Sequence, residues 1–217
     1  MKKQLKWFIA GIIVCSIFLA IPWAGGVTKK LKEVFIKSED ITTVLSPEKF
    51  KPEYFCESDL AIYDSVTNKE IKLFMTKNEI DKILGTKGKA TENAYMYNYF
   101  GLNVYYRDNL TAVFLDLKSN ETKRYSTVRK IALGDTKSDI IKLYGDFLGS
   151  DKNLDSADYF IENRNGLYYY LKYATSLDKS KFEKFDKDKT CIITFYFNGN
   201  DINRISIYEF RFGLELK

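Results

Sequence analysis

The sequence predicts an α+β fold of two tandem modules, each a short helix packed on an antiparallel sheet, behind an N-terminal membrane segment. Three observations lead to this prediction. The eleven-residue segment Met75–Gly85 is repeated as Asp135–Gly145, with five identical positions. Each copy is followed by runs rich in Tyr, Phe and β-branched residues, which are typical of strands. The first 28 residues form a separate stretch that is almost entirely apolar.

The N-terminal stretch, residues 1–28, predicts either a membrane span or a secretory signal peptide. Residues 7–28 carry no charge, which is long enough for a span, and Trp7 and Trp23 lie near its two ends, where interfacial aromatic residues are found. Ala24 and Gly26 fit the small residues of a cleavage site. In both cases we expect the rest of the chain outside the cytoplasm, as a single-pass cell-membrane protein or, after cleavage, as a secreted one.

Residues 29–59 predict a stalk or linker, because Pro47 and Pro52 interrupt a segment rich in Lys and Glu that contains only short apolar groups. The chain has 34 basic and 29 acidic residues and a net charge of +5. Three of the basic residues precede the apolar stretch, so what remains is nearly neutral with mixed signs. The composition therefore gives no indication of nucleic-acid binding.

The first module is predicted over residues 60–120. Thr76 and Glu79 have the spacing of a capping box, in which the two side chains satisfy each other's free backbone N–H groups at the start of a helix. Three apolar residues then share one helical face, and Gly85 ends the helix. The predicted strands are Tyr95–Phe100, Leu102–Tyr106 and Thr111–Leu117, with a hairpin turn at Arg107–Asn109.

The second module is predicted over residues 121–217 and repeats this order. Thr136 and Asp139 form a capping box with a shorter acidic side chain, and Gly145 ends the helix. Between the first two strands, the charged segment Asp178–Lys189 predicts a loop or a short surface helix. The predicted strands are Leu167–Tyr173, Cys191–Phe197 and Ile202–Phe210, with a turn at Asn198–Asn200.

Two cysteines lie in the part of the chain expected outside the cytoplasm. Cys56 and Cys191 could form one disulfide, which is common in exported proteins. They could equally be two separately buried thiols, since cysteine is among the most often buried residues. Because the chain has no histidine, two cysteines do not supply the usual ligand sets of a structural zinc site, and no metal or other cofactor is predicted.

The absence of histidine also argues against an enzyme. Ser-His and Cys-His nucleophile pairs are impossible without it, and no catalytic residue is predicted. Catalysis by two carboxylates remains an alternative, since glycoside hydrolysis needs only a pair of acids. Asp155, Asp158 and Glu162 are acidic neighbours, but we interpret them as solvated loop residues.

The tyrosines are the candidate binding residues. Tyr95, Tyr97 and Tyr99 alternate onto one face of their strand, and Tyr168 and Tyr170 share a face of another. On a sheet face that no helix covers they would form a rigid aromatic platform for a protein partner or for sugar rings. The alternative is that these rings simply pack the sheet.

The repeated segment resembles the tandem modules of the β-lactamase-inhibitor-like proteins and of small outer-membrane-assembly lipoproteins. Their pattern is Gly-(Met/Asp)-(Thr/Ser)-x-x-(Glu/Asp)-(Val/Ile)-x-x-x-(Leu/Tyr)-Gly, closed by Pro and followed by a Tyr-rich strand pair. Gly134–Gly145 fits this pattern; the first copy has Phe74 in place of the first Gly, and neither copy has the Pro. The resemblance covers residues 60–217 and implies a protein-binding or envelope-associated module without catalysis.

Three functions follow as hypotheses. The leading one is a membrane-anchored or secreted bacterial module that binds another envelope protein through the tyrosines. The second is a cell-wall carbohydrate-binding module that uses the same residues. The third is an enzyme that depends on a pair of carboxylates.

Overall fold

The structure is a computed structural model that describes residues 50–93, 95–118, 123–147, 154–172 and 185–215. The predicted membrane segment, residues 1–28, and the first part of the predicted stalk lie outside these ranges. Within them, no helix is both long and apolar enough to cross a membrane.

The described residues form an α+β fold with few helices and antiparallel sheets. A short 3₁₀ helix, Glu57–Leu60, precedes the first strand. The α-helices are α1 (Lys77–Leu84), α2 (Lys137–Tyr144) and α3 (Phe210–Glu215). The strands are β1 (Ala61–Asp64), β2 (Lys69–Lys72), β3 (Lys89–Ala90), β4 (Met96–Tyr99), β5 (Leu102–Tyr106), β6 (Ala112–Leu117), β7 (Tyr125–Thr127), β8 (Ser156–Arg164), β9 (Leu167–Tyr170), β10 (Thr190–Asn198) and β11 (Asp201–Glu209).

Strands β3–β6, which follow α1, and strands β8–β11, which follow α2, lie in one eight-stranded sheet, in the order β3-β4-β5-β6-β11-β10-β8-β9. We call α1 with β3–β6 the first half and α2 with β8–β11 the second half. This differs from the expectation of a sheet for each module. The junction is the antiparallel pair of β6 and β11, which runs from Ile205 opposite Leu117 to Tyr208 opposite Phe114. An unpaired strand edge exposes a row of backbone hydrogen-bonding groups, and the junction pairs one such edge of each half.

A second, three-stranded sheet has the order β2-β1-β7. Strand β1 is its centre and pairs antiparallel with β2 on one side and with β7 on the other. Because β2 leads into α1 and β7 leads into α2, this sheet joins the segments that precede the two helices. The buried pair of Arg124 and Asp64, with Nε 2.6 Å from Oδ1, closes the end of β1 onto β7.

The sequence-based prediction of α1 and α2 is confirmed in detail. The Thr76 N–H donates to Glu79 Oε2 (2.8 Å), and the Glu79 N–H donates to Thr76 Oγ1 (3.3 Å). Thr136 and Asp139 make the same two bonds at 3.0 and 3.3 Å. Both helices end at the predicted glycine, since Gly85 has φ +66° and is the C-cap of α1, and Gly145 has φ +89° and is the C-cap of α2. Such positive φ values favour glycine.

The start of each helix is bonded to the start of the last strand of its half. In the first half, the Lys77 N–H donates to the Leu110 carbonyl (2.9 Å) and the Ala112 N–H to the Met75 carbonyl (2.9 Å). The second half has the same two bonds, from the Lys137 N–H to the Asn200 carbonyl (3.2 Å) and from the Ile202 N–H to the Asp135 carbonyl (2.8 Å). Phe74 and Gly134, and likewise Leu110 and Asn200, are therefore at matching places.

The main core lies between the eight-stranded sheet and helices α1 and α2. Ile80 and Leu84 of α1 and Ile140 and Tyr144 of α2 are buried in it, together with every second residue of the strands. On the opposite face, α3 covers one end of the sheet. Its Phe212 ring lies 4.7 Å from that of Tyr105 and its Phe210 ring 6.0 Å from that of Phe160, measured between centroids.

Strand β8 is the main element that the sequence-based prediction lacks. Asp158 and Glu162, which we interpreted as solvated loop residues, both lie on it. Glu162 is buried and accepts hydrogen bonds from the Asp186 N–H (3.0 Å) and from Arg164 Nε (2.7 Å). Asp158 accepts one from Thr194 Oγ1 (2.8 Å). For these two residues the interpretation was wrong, because these partners replace water that a charged strand residue otherwise needs. Asp155 precedes β8 and is exposed, as we interpreted it.

The folded part also begins earlier than Leu60. Residues 50–56, which we call the entry segment, lie against the end of α2, where the Glu53 N–H donates to the Tyr144 carbonyl (2.8 Å). Phe55 is buried in the main core, with its ring 5.7 Å from that of Tyr159. The last residues of the predicted stalk are thus packed on the fold.

Candidate functional site

Tyr97 and Tyr99 lie on the sheet face that the helices cover, because they pair with the core residues Val104 and Leu102. Tyr99 is 1% exposed. Its hydroxyl donates to Asp81 Oδ1 (2.7 Å) and shares a hydrogen bond with the Tyr106 hydroxyl (3.1 Å). Burial raises the pKa of Tyr99, so the hydroxyl keeps the proton that it donates.

Tyr168 and Tyr170 face the same core. Tyr170 pairs with the buried Ile161, and its ring lies 5.4 Å from the rings of Phe55 and Tyr159. Both tyrosines are partly buried against the main core. The five predicted tyrosines therefore do not form one platform on an uncovered face. Alternation along a strand indicates which residues share a face, but it does not indicate which face the helices cover.

Tyr95 is the exception among the predicted binding residues. It precedes β4, is 46% exposed, and its ring centroid lies 6.2 Å from that of Tyr105, which is on the opposite sheet face from Tyr97 and Tyr99. The neighbouring Asp108 carboxylate raises the pKa of Tyr95. Tyr95 thus belongs to the end of the sheet where β5 turns into β6.

An open cleft of about 560 Å³ lies at this end, and we call it the aromatic cleft. Tyr105 forms one wall together with Phe212 of α3. Arg107, at the rim, pairs through its Nη2 with Oε2 of the buried Glu209 at 2.8 Å. The lining residues are Tyr95, Tyr105, Tyr106, Arg107, Asp108, Asn109 and Phe212.

Two exposed apolar residues flank the loop that forms the rim, and we call Phe74 and Leu110 the loop patch. Phe74 is 51% and Leu110 47% exposed, and their φ angles are +68° and +58°. The Phe74 N–H donates to the Ala112 carbonyl (2.7 Å), and the Leu110 N–H donates to the Arg107 carbonyl (2.7 Å). Both residues are therefore held on the same β5–β6 turn.

The sequence contained a signal for one of these two residues. Phe74 interrupts the repeated pattern at a place where the second copy has Gly134. Leu110 gave no signal, because its counterpart Asn200 is identified only by the matching backbone hydrogen bonds.

The sheet face opposite the helices carries a row of polar side chains across six neighbouring strands. At its centre, Asp116 is buried, and its Oδ1 accepts hydrogen bonds from Arg204 Nε (2.6 Å) and Ser206 Oγ (2.9 Å). Lys118 Nζ lies 3.2 Å from its Oδ2. The row runs in register through Asn98, Asn103, Asp116, Ser206, Thr194 and Asp158.

This polar row does not provide a pair of catalytic acids. Asp116 and Asp158 are three strands apart, a separation of about 14 Å at the usual strand spacing. Glycoside hydrolases need their two carboxyl groups within roughly 5 to 9.5 Å. The described part of the chain also contains no group of three or more His, Cys, Asp or Glu residues that could hold a metal ion.

In this structure Cys56 and Cys191 are free thiols; Cys191 is buried and Cys56 is partly exposed. Burial raises the pKa of Cys191 to about 12. Burial, followed by the nearby Asp59 carboxylate, also raises the pKa of Cys56. Neither thiol therefore has the lowered pKa of a reactive cysteine.

Comparison with known proteins gives no match of any kind: no family model matches the sequence, no curated protein matches it, and no solved structure matches its fold. The resemblance to the β-lactamase-inhibitor-like modules thus rests on the repeated motif alone. The loop patch and the aromatic cleft are the two surfaces whose geometry bears on function.

Proposed function

We propose that the chain is a bacterial envelope protein whose extracytoplasmic part binds another envelope protein through the loop patch of Phe74 and Leu110. Residues 7–28 anchor it in the membrane as a single span, or direct its secretion if they are cleaved. The folded part consists of two related α+β modules that share one sheet. It has no catalytic role.

The observation that supports this proposal most directly is a difference in residue type. It lies at the positions of the two halves that make the same backbone hydrogen bonds. In the second half these places hold Gly134, with φ +91°, and Asn200. The first half has instead two large apolar side chains, both with positive φ and both about half exposed. A left-handed conformation costs a residue other than glycine about 1–2 kcal/mol. Backbone strain of this kind clusters at functional sites, and here it is carried by two side chains that stay about half exposed.

The surroundings of the patch favour a protein partner. Exposed apolar side chains gain free energy when a partner removes them from water, and interfaces depend on a few large residues. Phe74 and Leu110 are held by backbone hydrogen bonds to Ala112 and Arg107. Such a rigid pair loses little conformational entropy when a partner docks on it.

The two related modules are supported by local geometry. The repeated segments have the same capping box, end at a glycine with positive φ, and make the same backbone bonds to the last strand of their half. The sheet order places the last strands of the two halves side by side. This arrangement leaves one half free to diverge at the loop patch while the other keeps Gly134 and Asn200.

The test replaces the patch by the residues of the second half, in the double variant Phe74→Gly with Leu110→Asn. The full chain is crosslinked in its native membrane, and the captured proteins are compared with those of the wild type. We expect the double variant to lose a partner that the wild type captures while it still unfolds in one cooperative transition.

Val66→Asn is the matched control, because Val66 is 68% exposed in the turn between β1 and β2. It should capture the same partner as the wild type. Equal capture by the double variant and the wild type would refute the proposed interface.

A further inference from the structure

The aromatic cleft lies beside the loop patch but is lined by other residues, and its chemistry differs from that of the patch. We infer that it binds a neutral saccharide ring, a second ligand in addition to the protein partner. The inference rests on the ring walls, the polar rim and the balance of charge in the cleft.

Three aromatic rings supply the apolar wall. The centroid of Tyr105 lies 6.2 Å from that of Tyr95 and 4.7 Å from that of Phe212, with interplanar angles of 32° and 51°. The rings therefore form a bent surface instead of a closed stack. A pyranose ring has an apolar face of C–H groups that lies well on such a surface, because aromatic faces carry a negative potential.

The rim supplies hydrogen-bonding groups of both kinds. Arg107 is a multiple donor, and its pair with Glu209 uses only part of its fork. Asp108 accepts, and Asn109 accepts a hydrogen bond from the Thr111 N–H through its Oδ1 (3.0 Å), while its amide NH₂ is a donor. Adjacent sugar hydroxyls both donate and accept, so they match this combination.

The charge of the lining selects a neutral ligand. Arg107 and Asp108 are its only ionised residues among the described ones, and they have opposite signs. The lining therefore has no net charge that would attract an anion or a cation over a neutral ligand. The positive charge of Arg107 is already paired with Glu209, so a polar ring without charge suits this cleft.

The cleft is also preformed. The Glu209 carboxylate holds Arg107, and the Asn93 side chain accepts a hydrogen bond from the Tyr95 N–H (3.2 Å). The Arg107 N–H donates to the Thr111 carbonyl (3.0 Å), which fixes the turn that carries the rim. A volume of about 560 Å³ lies within the usual range of small-ligand sites.

The test measures saturation-transfer NMR on the full chain in lipid nanodiscs, with glucose, galactose and N-acetylglucosamine as neutral probes. Glucuronic acid and glucosamine are the charged probes. The variants are Tyr95→Ala and Asp108→Ala, and Tyr169→Ala is the control, because Tyr169 is 41% exposed on β9 at the other end of the sheet.

We expect transfer to the ring protons of at least one neutral sugar, with affinity lowered about tenfold in each cleft variant and unchanged in Tyr169→Ala. Transfer only to a charged probe, no transfer to any probe, or equal transfer in all variants would each overturn the inference. The loop-patch variant keeps all the cleft residues, so loss of the protein partner and loss of the sugar are distinguishable results.

Discussion

The residue type at one position of positive φ distinguishes the two halves of this fold. The same place before a helix holds Phe74 in one half and Gly134 in the other, and both have positive φ. The glycine adopts this conformation without strain, whereas the phenylalanine does not. At the other end of each helix, Gly85 and Gly145 both have positive φ, but their surroundings differ.

Phe74→Gly should cost little stability, although about half of the phenylalanine side chain is buried. The lost burial, about 1 kcal/mol, and the greater freedom of glycine in the unfolded chain are offset by the removal of left-handed strain of about 1–2 kcal/mol. We expect the free energy of unfolding to change by no more than about 1 kcal/mol, measured by urea denaturation of the full chain in detergent. Gly134→Ala adds such strain and should destabilise the protein, and a loss of about 3 kcal/mol or more in Phe74→Gly would contradict this account.

Gly145→Ala should cost more than Gly85→Ala. A Cβ at Gly145 would lie 2.5 Å from Glu53 Cγ and 2.9 Å from the Glu53 backbone nitrogen, whereas a Cβ at Gly85 meets nothing within 4 Å. Gly145 also has ψ −178°, a combination with positive φ that is nearly restricted to glycine. We expect losses of about 3 and about 1 kcal/mol respectively, compared by denaturation midpoints. Similar losses would mean that the entry segment does not pack there.

At the scale of elements, one buried arginine connects the 3₁₀ helix, the end of α2 and the entry segment. Arg129, just after β7, donates to both carboxylate oxygens of Asp59 at 2.6 and 2.8 Å. It also donates to the Leu143 carbonyl at the end of α2 (2.6 Å) and to the Lys51 carbonyl of the entry segment (3.0 Å). Arg129 thus adds to the contacts of the entry segment already described, the Glu53 bond to α2 and the burial of Phe55.

Arg129→Met should be strongly destabilising, because it leaves the buried Asp59 carboxylate without its partner. Breaking a buried pair in this way costs about 3–5 kcal/mol. Arg211→Met is the control, since Arg211 and Asp188 form an exposed pair, and such pairs contribute about 0–1 kcal/mol. Thermal unfolding followed by circular dichroism compares the two. A small effect of Arg129→Met on thermal unfolding would contradict this account, in which Arg129 holds both Asp59 and the entry segment.

The helices and most strands of the main sheet could be predicted because their signals are local. The capping boxes locate the starts of α1 and α2, and the predicted bounds of β5 are those observed. Strand β8 was missed because its charged residues have partners only in the folded state, in the case of Asp158 on another strand. Strands β1, β2 and β7 have three or four residues each, too few for a clear alternation.

Of the candidate site, the sequence predicted only Tyr95. The pairing of strands decides which face a tyrosine occupies, and Tyr97 and Tyr99 lie on the helix-covered face for that reason. The cleft needs Phe212 of α3 beside Tyr105, a contact between residues far apart in the chain. No local pattern contains such a contact, so the cleft could not be predicted.

For the protein as a whole, stability should depend on pH mainly in acid. Burial raises the pKa of Asp64, but hydrogen bonds from Arg124 and its own turn outweigh this and lower the pKa below its ordinary value of 3.8. Burial likewise raises the pKa of Asp81, but hydrogen bonds from Lys77 and Tyr99 outweigh this and lower it. A lowered folded pKa gives stability that is present above the unfolded value and lost as the pH falls through the folded one.

With no histidine in the chain, we expect urea midpoints to be nearly constant from about pH 5 to 8 and to fall below about pH 4. Asp64→Asn should be less stable at neutral pH and should lose less on acidification. A midpoint that rises as the pH falls below 4 would have the wrong sign for this explanation.

The central claim is that a partner protein docks on the loop patch. The most direct measurement places a photoreactive amino acid at position 110 in one variant and at the matching position 200 in another, and irradiates cells that contain each. The account predicts a specific protein adduct from position 110 and none from position 200. An adduct of equal yield from both positions, or from position 200 alone, would contradict it.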